Sequence, residues 1–199
     1  MVSGILLGAG ESKRMGVNKL LLPWKRKTVF EHCLDTLLGS TLKEVIVVLG
    51  GPSKVFKDAL EKRTALADRG GKVAINPYYR RGMSSSIRRG IKVVDPRSQG
   101  ILIALGDQPF LKTRTVNAII HAFEQKEGQI IVPSFRGKKG HPVIFHRRFK
   151  KELLELRGDR GGRSILLKYP DSIKTFRVKS EGVLKDLDTW QAYKNGLRK

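Results

Sequence analysis

The sequence is poor in features that would place a chain in an oxidising compartment or a membrane. Cys33 is the one cysteine among 199 residues, so an internal disulfide and a zinc site built from several thiolates are both excluded. The longest apolar stretches (5–7, 45–49 and 101–105) fall far short of the roughly 20 residues that cross a bilayer. Near the amino end the cations follow the apolar run, and that run is too short for a signal peptide. We therefore expect a soluble protein of the cytoplasm, with no membrane partner.

Acidic residues are scarce as well. Against 40 Lys and Arg there are 18 Asp and Glu, so the formal net charge is +22, which attracts polyanions and speeds their encounter. The motifs of specific nucleic-acid readers are missing, and the cations are scattered along the chain instead of gathered in one tail. Most of them are best interpreted as solvated surface. Nucleic acid is therefore expected to bind only non-specifically, while a small substrate with several phosphates would gain from the same field.

Short β-rich runs alternate with amphipathic helices along the chain, which predicts an α/β layer fold. We predict strands at residues 2–7, 44–49, 72–75, 100–105, 129–132, 141–145, 173–178 and 182–185. Helices are predicted at 28–38, about 53–66, 84 to about 94, 113–127, 149–156, from 161 onward and at 188–197. With no internal repeat or linker, residues 1–199 are expected to form one three-layer α/β/α domain. Its sheet is mixed but mostly parallel, and the last third adds antiparallel edges.

Helix starts carry recognisable capping residues. Thr28 with Glu31, and Asp188 with Gln191, have the spacing of a capping box, and the serines at 84–86 are expected to cap the helix that follows them. Cys33 lies on the apolar stripe of helix 28–38, so it is interpreted as core filler.

The loop after the first strand reads Gly-Ala-Gly-Glu-Ser-Lys-Arg-Met-Gly-Val-Asn-Lys over residues 8–19. Ligands of open α/β sheets bind beyond the carboxyl ends of the strands; here the glycines admit a phosphate, and Lys13, Arg14 and Lys19 can neutralise it. It is not a Walker loop, because no Gly-Lys-Ser/Thr follows. It is not a dinucleotide fingerprint either, since Lys13 replaces the third glycine and the second strand ends in glycines instead of an acid.

Six motifs in the same order as in a known family cover nearly the whole chain. They are G-A-G-x-S-x-R-M-G-x-x-K-L-L-L-P-W, N-P-Y-Y-R-R-G-M-S-S-S-I-R-R-G-I, L-G-D-Q-P-F-L, G-H-P-V-I-F, G-D-R-G-G-R and G-V-L-K-D-L-D-T. Together they resemble molybdenum cofactor cytidylyltransferases and their MobA-like NTP transferase relatives. One departure is Gly8, where the family usually has Ala; glycine there is expected to loosen the loop.

The resemblance implies a Rossmann-like nucleotide-diphospho-sugar transferase fold. It also implies transfer of CMP from CTP to the phosphate of molybdopterin-bound molybdenum, with release of pyrophosphate and with Mg²⁺ as cofactor. Residues up to about 110 would bind the NTP and residues from about 111 the molybdenum cofactor, and a molybdoenzyme would receive the product. Open alternatives are the same chemistry with GTP or another phosphorylated acceptor, a carrier of the cofactor, and a nucleic-acid-binding protein without catalysis.

Nucleotidyl transfer brings together two anionic phosphates, so charge neutralisation and positioning carry the catalysis, and an ionised acceptor needs no general base. Arg14 and Lys19 are expected on the NTP phosphates. Asp107 follows strand 100–105 and is expected to hold Mg²⁺, in preference to a purely turn-forming role. Asp186 or Asp188 is expected to be the second metal ligand, although helix capping is an equally good use of Asp188.

The resemblance assigns the remaining positions. Nucleotide binding falls to Gly8, Ala9, Gly10, Lys13, Gly82 and Ser86. Ser86 is expected to contact the pyrimidine base, and Ala9 matches the branch that uses cytidine, which favours CTP over GTP. Lys13 has solvent exposure as its alternative. Acceptor binding is expected of His141, Gly161, Gly162 and Arg163, because a helix start offers N–H groups and a guanidinium to a phosphate or pterin.

Overall fold

A computed structural model describes residues 1–10, 12, 14–50, 64–68, 71–159 and 161–198. Within them one sheet has the strand order β10-β7-β9-β6-β1-β4-β5, with β8 paired to β7, and β2 and β3 form a separate hairpin. The strands are β1 (Val2–Gly8), β2 (Pro23–Trp24), β3 (Lys27–Thr28), β4 (Glu44–Gly50), β5 (Lys72–Asn76), β6 (Gly100–Leu105), β7 (Ile130–Phe135), β8 (Lys138–Lys139), β9 (Val143–His146) and β10 (Ile173–Arg177).

Strands β1, β4, β5 and β6 run parallel, with Ile5 of β1 level with Ile46 and Ile103. The predicted antiparallel edges are wrong in position. The antiparallel strand β9 lies inside the sheet between β6 and β7, and the edge strand β10 is parallel to β7. The connection explains the difference: β9 returns from β7 through the short β8 hairpin, which reverses the chain, whereas β10 follows after intervening helices that allow a parallel crossover.

Helices cover both faces of the sheet. The helices are α1 (Val29–Leu38), α2 (Thr64–Ala67), α3 (Met83–Ile91), α4 (Thr113–Glu124), α5 (Lys150–Glu155), α6 (Arg163–Lys168) and α7 (Trp190–Leu197). Side chains of β1 alternate between two cores: Leu6 packs with residues of α1 and α4, and Ile5 and Leu7 pack with residues of α3, α5 and α6, as the two-residue period of a strand requires. The predicted three-layer α/β/α architecture is confirmed.

The start of α1 follows its sequence signal. Thr28 Oγ1 accepts a hydrogen bond from Glu31 N at 3.2 Å, and Glu31 Oε2 accepts from Thr28 N at 2.8 Å, so the predicted capping box is present. Cys33 is buried on this helix, and burial raises the pKa of its thiol. Its interpretation as core is confirmed.

Three local predictions are wrong. Gly82, with φ of 94°, is the N-cap of α3, and the serines at 84–86 lie buried inside the helix. Residues Glu181–Val183 form a 3₁₀ turn instead of the predicted strand 182–185, because Ser180 accepts from Gly182 N and caps a turn there. Thr189, not Asp188, caps α7 by accepting from Ala192 N at 3.1 Å.

The predicted helix 53–66 lies mostly outside the described residues, which show its final part as α2. Among the helices that the structure describes, none has both the length and the apolar character needed to span a bilayer.

Candidate active site

A cleft of about 410 Å³ opens where β1 and β6 end and α3 begins. Parallel strands bring the loops at their carboxyl ends to one edge of the sheet, and this edge is joined by two segments from the last third of the chain. Charged or polar residues from all these segments line it: Ser12, Arg14, Lys19, Arg80, Ser86, Asp107, Asp159 and Asp188. The structure thus brings together residues that are up to 176 positions apart, counting from Ser12 to Asp188.

Lys19 is the centre of the charged end of the cleft. Its Nζ lies 2.5 Å from Asp107 Oδ2 and 2.6 Å from Asp188 Oδ1, and its side chain is only 11% exposed. Arg14 donates to the other oxygen of Asp188, Oδ2, at 2.5 Å, with its own side chain 70% exposed. Two cations and two carboxylates therefore form one connected cluster, with Lys19 inside it and Arg14 at its solvent edge.

The charges of the cluster support one another. Burial lowers the pKa of Lys19, but the charges and hydrogen bonds of Asp107 and Asp188 outweigh it, and the pKa ends above its ordinary value. Burial raises the pKa of Asp188, yet Lys19 and Arg14 outweigh it and hold that pKa below its ordinary range. Opposite charges at this separation favour the ionised form of each group. Lys19 and Asp188 are therefore both charged at neutral pH.

Backbone contacts fix the three segments that carry the cluster. Lys19 N donates to Ser12 Oγ at 3.1 Å, and Asn18 caps the 3₁₀ turn that begins at Lys19. Leu187 N donates to the carbonyl of Asp107 at 3.0 Å, which places Asp188 beside the end of β6. Because Thr189 takes over the capping of α7, the carboxylate of Asp188 is available to the cluster.

Asp107 and Asp188 are the residues that fit a divalent cation. Asp107 Oδ1 is buried and has no hydrogen-bond partner, and carboxylate oxygens are the protein ligands that Mg²⁺ and similar ions prefer. The described residues contain no group of three or more His, Cys, Asp or Glu arranged around a metal position. A metal here would therefore depend on this carboxylate pair and on ligands from outside the chain, such as substrate phosphates.

Asp186 stands apart from the cluster. Burial, followed by repulsion from Asp188 and Asp107, raises the pKa of its carboxylate. The Asp186 carboxylate is therefore close enough to interact electrostatically with both aspartates, but the contacts with Lys19 and Arg14 are made by Asp188. Of the two predicted candidates for the second ligand, the geometry favours Asp188.

The first loop divides into packing and lining residues. Ala9 and Gly10 line the cleft, whereas Gly8 ends β1 and does not; nucleotide binding by these residues stays a prediction. A Cβ at Gly8 would lie 2.5 Å from the ring of Phe30. The expectation that Gly8 loosens the loop is therefore wrong: glycine there lets Phe30 pack against the strand end. Lys13 lies outside the described residues.

At the other wall of the cleft are Gly82 and Ser86 of the α3 start. Ser86 Oγ accepts from Asn76 Nδ2 at 3.0 Å, which fixes the hydroxyl at the end of β5. A Cβ at Gly82 would lie 2.7 Å from Asp159 Oδ1 and from the Gly158 backbone. The close approach and the positive φ both require glycine. Contact of Ser86 with a base stays a prediction.

Asp159 is a cleft residue that the motif reading missed. Its Oδ1 accepts a hydrogen bond from Met83 N, at the start of α3, at 2.8 Å. A carboxylate from a distant loop therefore caps the first turn of this helix at the cleft. The signal was present in the G-D-R-G-G-R motif, of which only the glycines and the arginine were assigned.

The predicted acceptor residues are not among those that line the cleft. Gly161 and Gly162 are closely packed, since a Cβ would lie 3.0 Å from Met83 Sδ and 2.8 Å from the Phe145 ring, and Arg163 is exposed. Their binding role stays a prediction.

His141 lies on the Asp107 side instead. Its backbone N–H donates to Val183 O at 2.9 Å, and its Nδ1 is buried without a hydrogen-bond partner. Burial lowers the pKa of the imidazole, and the charge of Asp107 opposes that shift. His141 does not line the cleft either, and its predicted acceptor role stays a prediction.

Two curated relatives match almost the full chain, and a third matches about two thirds of it. A nicotine blue oxidoreductase of Paenarthrobacter nicotinovorans is 28% identical over 94% of this chain and 92% of its own. The purine catabolism protein PucB of Bacillus subtilis is 29% identical over 96% and 93%. A molybdenum cofactor cytidylyltransferase of Escherichia coli is 25% identical over 70% of this chain and 67% of its own.

Solved structures show the same architecture. Rv0371c of Mycobacterium tuberculosis superposes with a TM-score of 0.86 at 31% identity, covering 100% of this chain and 97% of its own. A second structure of Rv0371c, in complex with manganese, has a TM-score of 0.79 at 28% identity and covers 99% and 98%. The sheet order and layers are those of the Rossmann-like nucleotide-diphospho-sugar transferase fold. The model of the MobA-like NTP transferase domain matches residues 4–173, and the chain therefore belongs to the MobA-like NTP transferase family.

Proposed function

We propose that this protein is a Mg²⁺-dependent cytidylyltransferase that transfers CMP from CTP to the phosphate of molybdopterin-bound molybdenum and releases pyrophosphate. The observation that carries the proposal is the cluster of Arg14, Lys19, Asp107 and Asp188 at one end of a 410 Å³ cleft. Family membership supports an NTP as substrate, and the manganese complex of Rv0371c supports a divalent cation.

The chemistry needs positioning and charge more than proton transfer. An oxygen of the acceptor phosphate attacks the α-phosphorus, a new phosphoanhydride bond forms, and the bond from the α-phosphorus to the oxygen that bridges it to the β-phosphorus breaks, so pyrophosphate leaves. Because the acceptor is already ionised, no base has to remove a proton. Most of the rate enhancement then comes from alignment and from stabilisation of the charge that develops on the phosphates.

Each member of the cluster has a part in this step. Arg14 is suited to a forked contact with phosphate oxygens, and Lys19 to a point-charge contact. Asp107 and Asp188 would hold the metal, which supplies neutralisation of phosphate charge when it is bound. Leu187 N, through its bond to the Asp107 carbonyl, keeps the two carboxylates side by side.

The choice of CTP rests on Ser86 and Ala9, which line the same cleft as the cluster. The fixed hydroxyl of Ser86 and the small side chain of Ala9 are those that the resemblance assigns to the cytidine-using branch. The curated relatives carry unlike names, so the acceptor and the base are the parts of the proposal that need direct measurement. GTP is the alternative nucleotide, and a molybdoenzyme is the proposed recipient of the product.

The test is pyrophosphate release from CTP, GTP, UTP and ATP, each with Mg²⁺ and with protein-free molybdenum cofactor as acceptor. We expect release with CTP that depends on the acceptor and that falls by about 10²-fold or more in Asp107→Asn. Release with GTP alone would move the proposal to the guanylyl reaction, and no release with any nucleotide would overturn it.

A parallel measurement addresses the non-catalytic alternative. A nucleic-acid-binding protein would bind duplex or single strands tightly and with a steep salt dependence, and Asp107→Asn would leave that binding intact. We expect only weak binding that disappears as salt is raised, because the +22 charge is scattered.

A further inference from the structure

Lys19 occupies the space between the two carboxylates that would hold a metal. Its ammonium is within 2.5 Å of Asp107 Oδ2 and 2.6 Å of Asp188 Oδ1, and these are the two carboxylates that fit a divalent cation. A cation in contact with both carboxylates would lie only a few ångströms from Nζ, and like charges at such a distance in a partly buried site repel strongly. A metal that bridges the two carboxylates therefore competes with Lys19 for the oxygens of Asp107 and Asp188.

We propose that Lys19 and a divalent cation bind Asp107 and Asp188 in alternation, and that Lys19 gives up the carboxylates when a nucleoside triphosphate offers its ammonium new anionic partners. This rests on the proposed function, because it assigns the order in which the same site is filled. The metal alone then binds weakly, and the metal and the nucleotide favour each other's binding. The cluster thereby resists stray divalent cations when no nucleotide is present.

The structure allows Lys19 to move without disturbing its backbone. Lys19 N is bonded to Ser12 Oγ, and the turn that it begins is capped by Asn18, so the main chain stays while the flexible four-carbon stem rotates. Lys19 also lines the cleft, so its ammonium needs no large displacement to reach a triphosphate held there.

Arg14 does not have the same role. It contacts Asp188 through the opposite oxygen, Oδ2, its side chain is 70% exposed, and its ion pair is with Asp188 and not with Asp107. A metal that takes the oxygens now bonded to Lys19 would not need the Asp188 oxygen that Arg14 holds. The alternation therefore involves Lys19 specifically and not the positive charge of the loop in general.

The experiment measures Mn²⁺ affinity without nucleotide, from the electron paramagnetic resonance signal of free Mn²⁺. Wild type is compared with Lys19→Met and with Lys27→Met, since Lys27 pairs with Asp35 outside the cleft and its loss removes the same charge from the chain. We expect Lys19→Met to bind Mn²⁺ about tenfold tighter or more, the order of change that loss of a competing charge-assisted bond produces. Lys27→Met should bind as wild type does.

A Lys19→Met affinity no tighter than that of Lys27→Met would overturn the alternation. If circular dichroism shows that Lys19→Met is unfolded, Lys19→Gln, which keeps a polar side chain without the charge, gives the same comparison. A second titration adds a non-hydrolysable α,β-methylene analogue of CTP. The analogue should improve Mn²⁺ binding to wild type more than to Lys19→Met, after correction for Mn²⁺ bound by free analogue. Failure of wild type to bind the analogue would count against the proposed function, and the nucleotide-free comparison would still decide the alternation.

Discussion

The two regions that meet at the cleft are built in different ways. On one side, Asp107 follows β6 and the first loop follows β1, strands whose residues are almost all buried and which pair on both edges with other strands. On the other side, Asp188 belongs to a stretch without regular structure between a 3₁₀ turn and α7. The first region therefore carries its site residues on buried strands, whereas the second region depends on contacts with the first for its position.

Besides the ion pairs of Asp188 with Lys19 and Arg14, hydrogen bonds of neighbouring residues hold the second region against the first. Leu187 N donates to the Asp107 carbonyl at 3.0 Å, and Trp190 Nε1 donates to the Met15 carbonyl at 3.2 Å. Below them Leu187 and Tyr193 pack with Trp24 in a small separate core. The position of Asp188 is therefore set by its contacts with the first region, and changes on the two sides should have distinguishable effects.

Among changes in the second region, the largest effect is expected at Asp188, the proposed second metal ligand. Asp188→Asn should lower turnover by about 10²-fold, because the carboxylate bonded to Lys19 and Arg14 loses its charge. Asp186→Asn should lower it far less, since Asp186 acts on the cluster through space. Steady-state kinetics with varied metal concentration distinguishes the two. Equal losses would mean that Asp186 reaches the metal in the working enzyme, and that the second region moves on substrate binding.

The rigid side is expected to respond through stability. Gly8→Ala should cost roughly 1–3 kcal/mol of unfolding free energy, the usual cost of overpacking, because its Cβ would lie 2.5 Å from the Phe30 ring. Gly10→Ala is the matched control: Gly10 lies two residues farther along, in the loop after β1, and a Cβ there would meet nothing within 4 Å. Urea denaturation of both variants measures the difference. An unchanged unfolding free energy of Gly8→Ala would show that Phe30 and the end of β1 can shift to accept the extra methyl group.

The same contrast explains what could be predicted from the sequence. The buried parallel strands and α1 give long apolar runs, a 3.6-residue period and a capping box, and all of these were predicted nearly to the residue. The position of Asp107 at the ligand-binding edge of the sheet is predicted by its place directly after such a strand. The turn at 181–183 and the cap at Thr189 were missed, because in such short segments single hydrogen bonds decide the conformation.

Some features of the site have no signal in the periodicity or capping pattern of the sequence. The cluster of Lys19 with Asp107 and Asp188 depends on separations of 88 and 169 residues, which no periodicity reports. Asp159 lies at the cleft where Gly82 lets two loops touch, since a Cβ at Gly82 would collide with Asp159 and the Gly158 backbone. The interior place of β9 depends on the β8 hairpin, whose strand has two residues. Motif resemblance could name such residues, but contact geometry was needed to assign them.

A smaller effect is expected within α3, where two serines differ in their surroundings. Ser86→Ala should weaken CTP binding by about tenfold or less, the worth of one hydrogen bond, because Ser86 lines the cleft. Ser84 Oγ is buried without a partner, so Ser84→Ala should leave nucleotide binding unchanged and stability unchanged or slightly higher. Calorimetric titration with CTP and UTP measures nucleotide binding by both variants, and urea denaturation measures their stability. Equal weakening in the two variants would contradict a direct contact of Ser86 with the base.

The smallest effect concerns the helix that follows the second region. Thr189→Ala should cost about 1 kcal/mol of unfolding free energy, the usual value of an N-cap, because Thr189 Oγ1 accepts from Ala192 N. Thr189→Ser keeps the hydroxyl and should recover most of it. Gln191→Ala is the control for the capping box that the spacing suggested: Gln191 Nε2 donates to Asn195 Oδ1 on the exposed surface, so its loss should cost little. A larger loss of unfolding free energy in Gln191→Ala than in Thr189→Ala would indicate that Asp188 caps α7 through the predicted capping box. Asp188 would then have two competing roles, as a helix cap and as a proposed metal ligand.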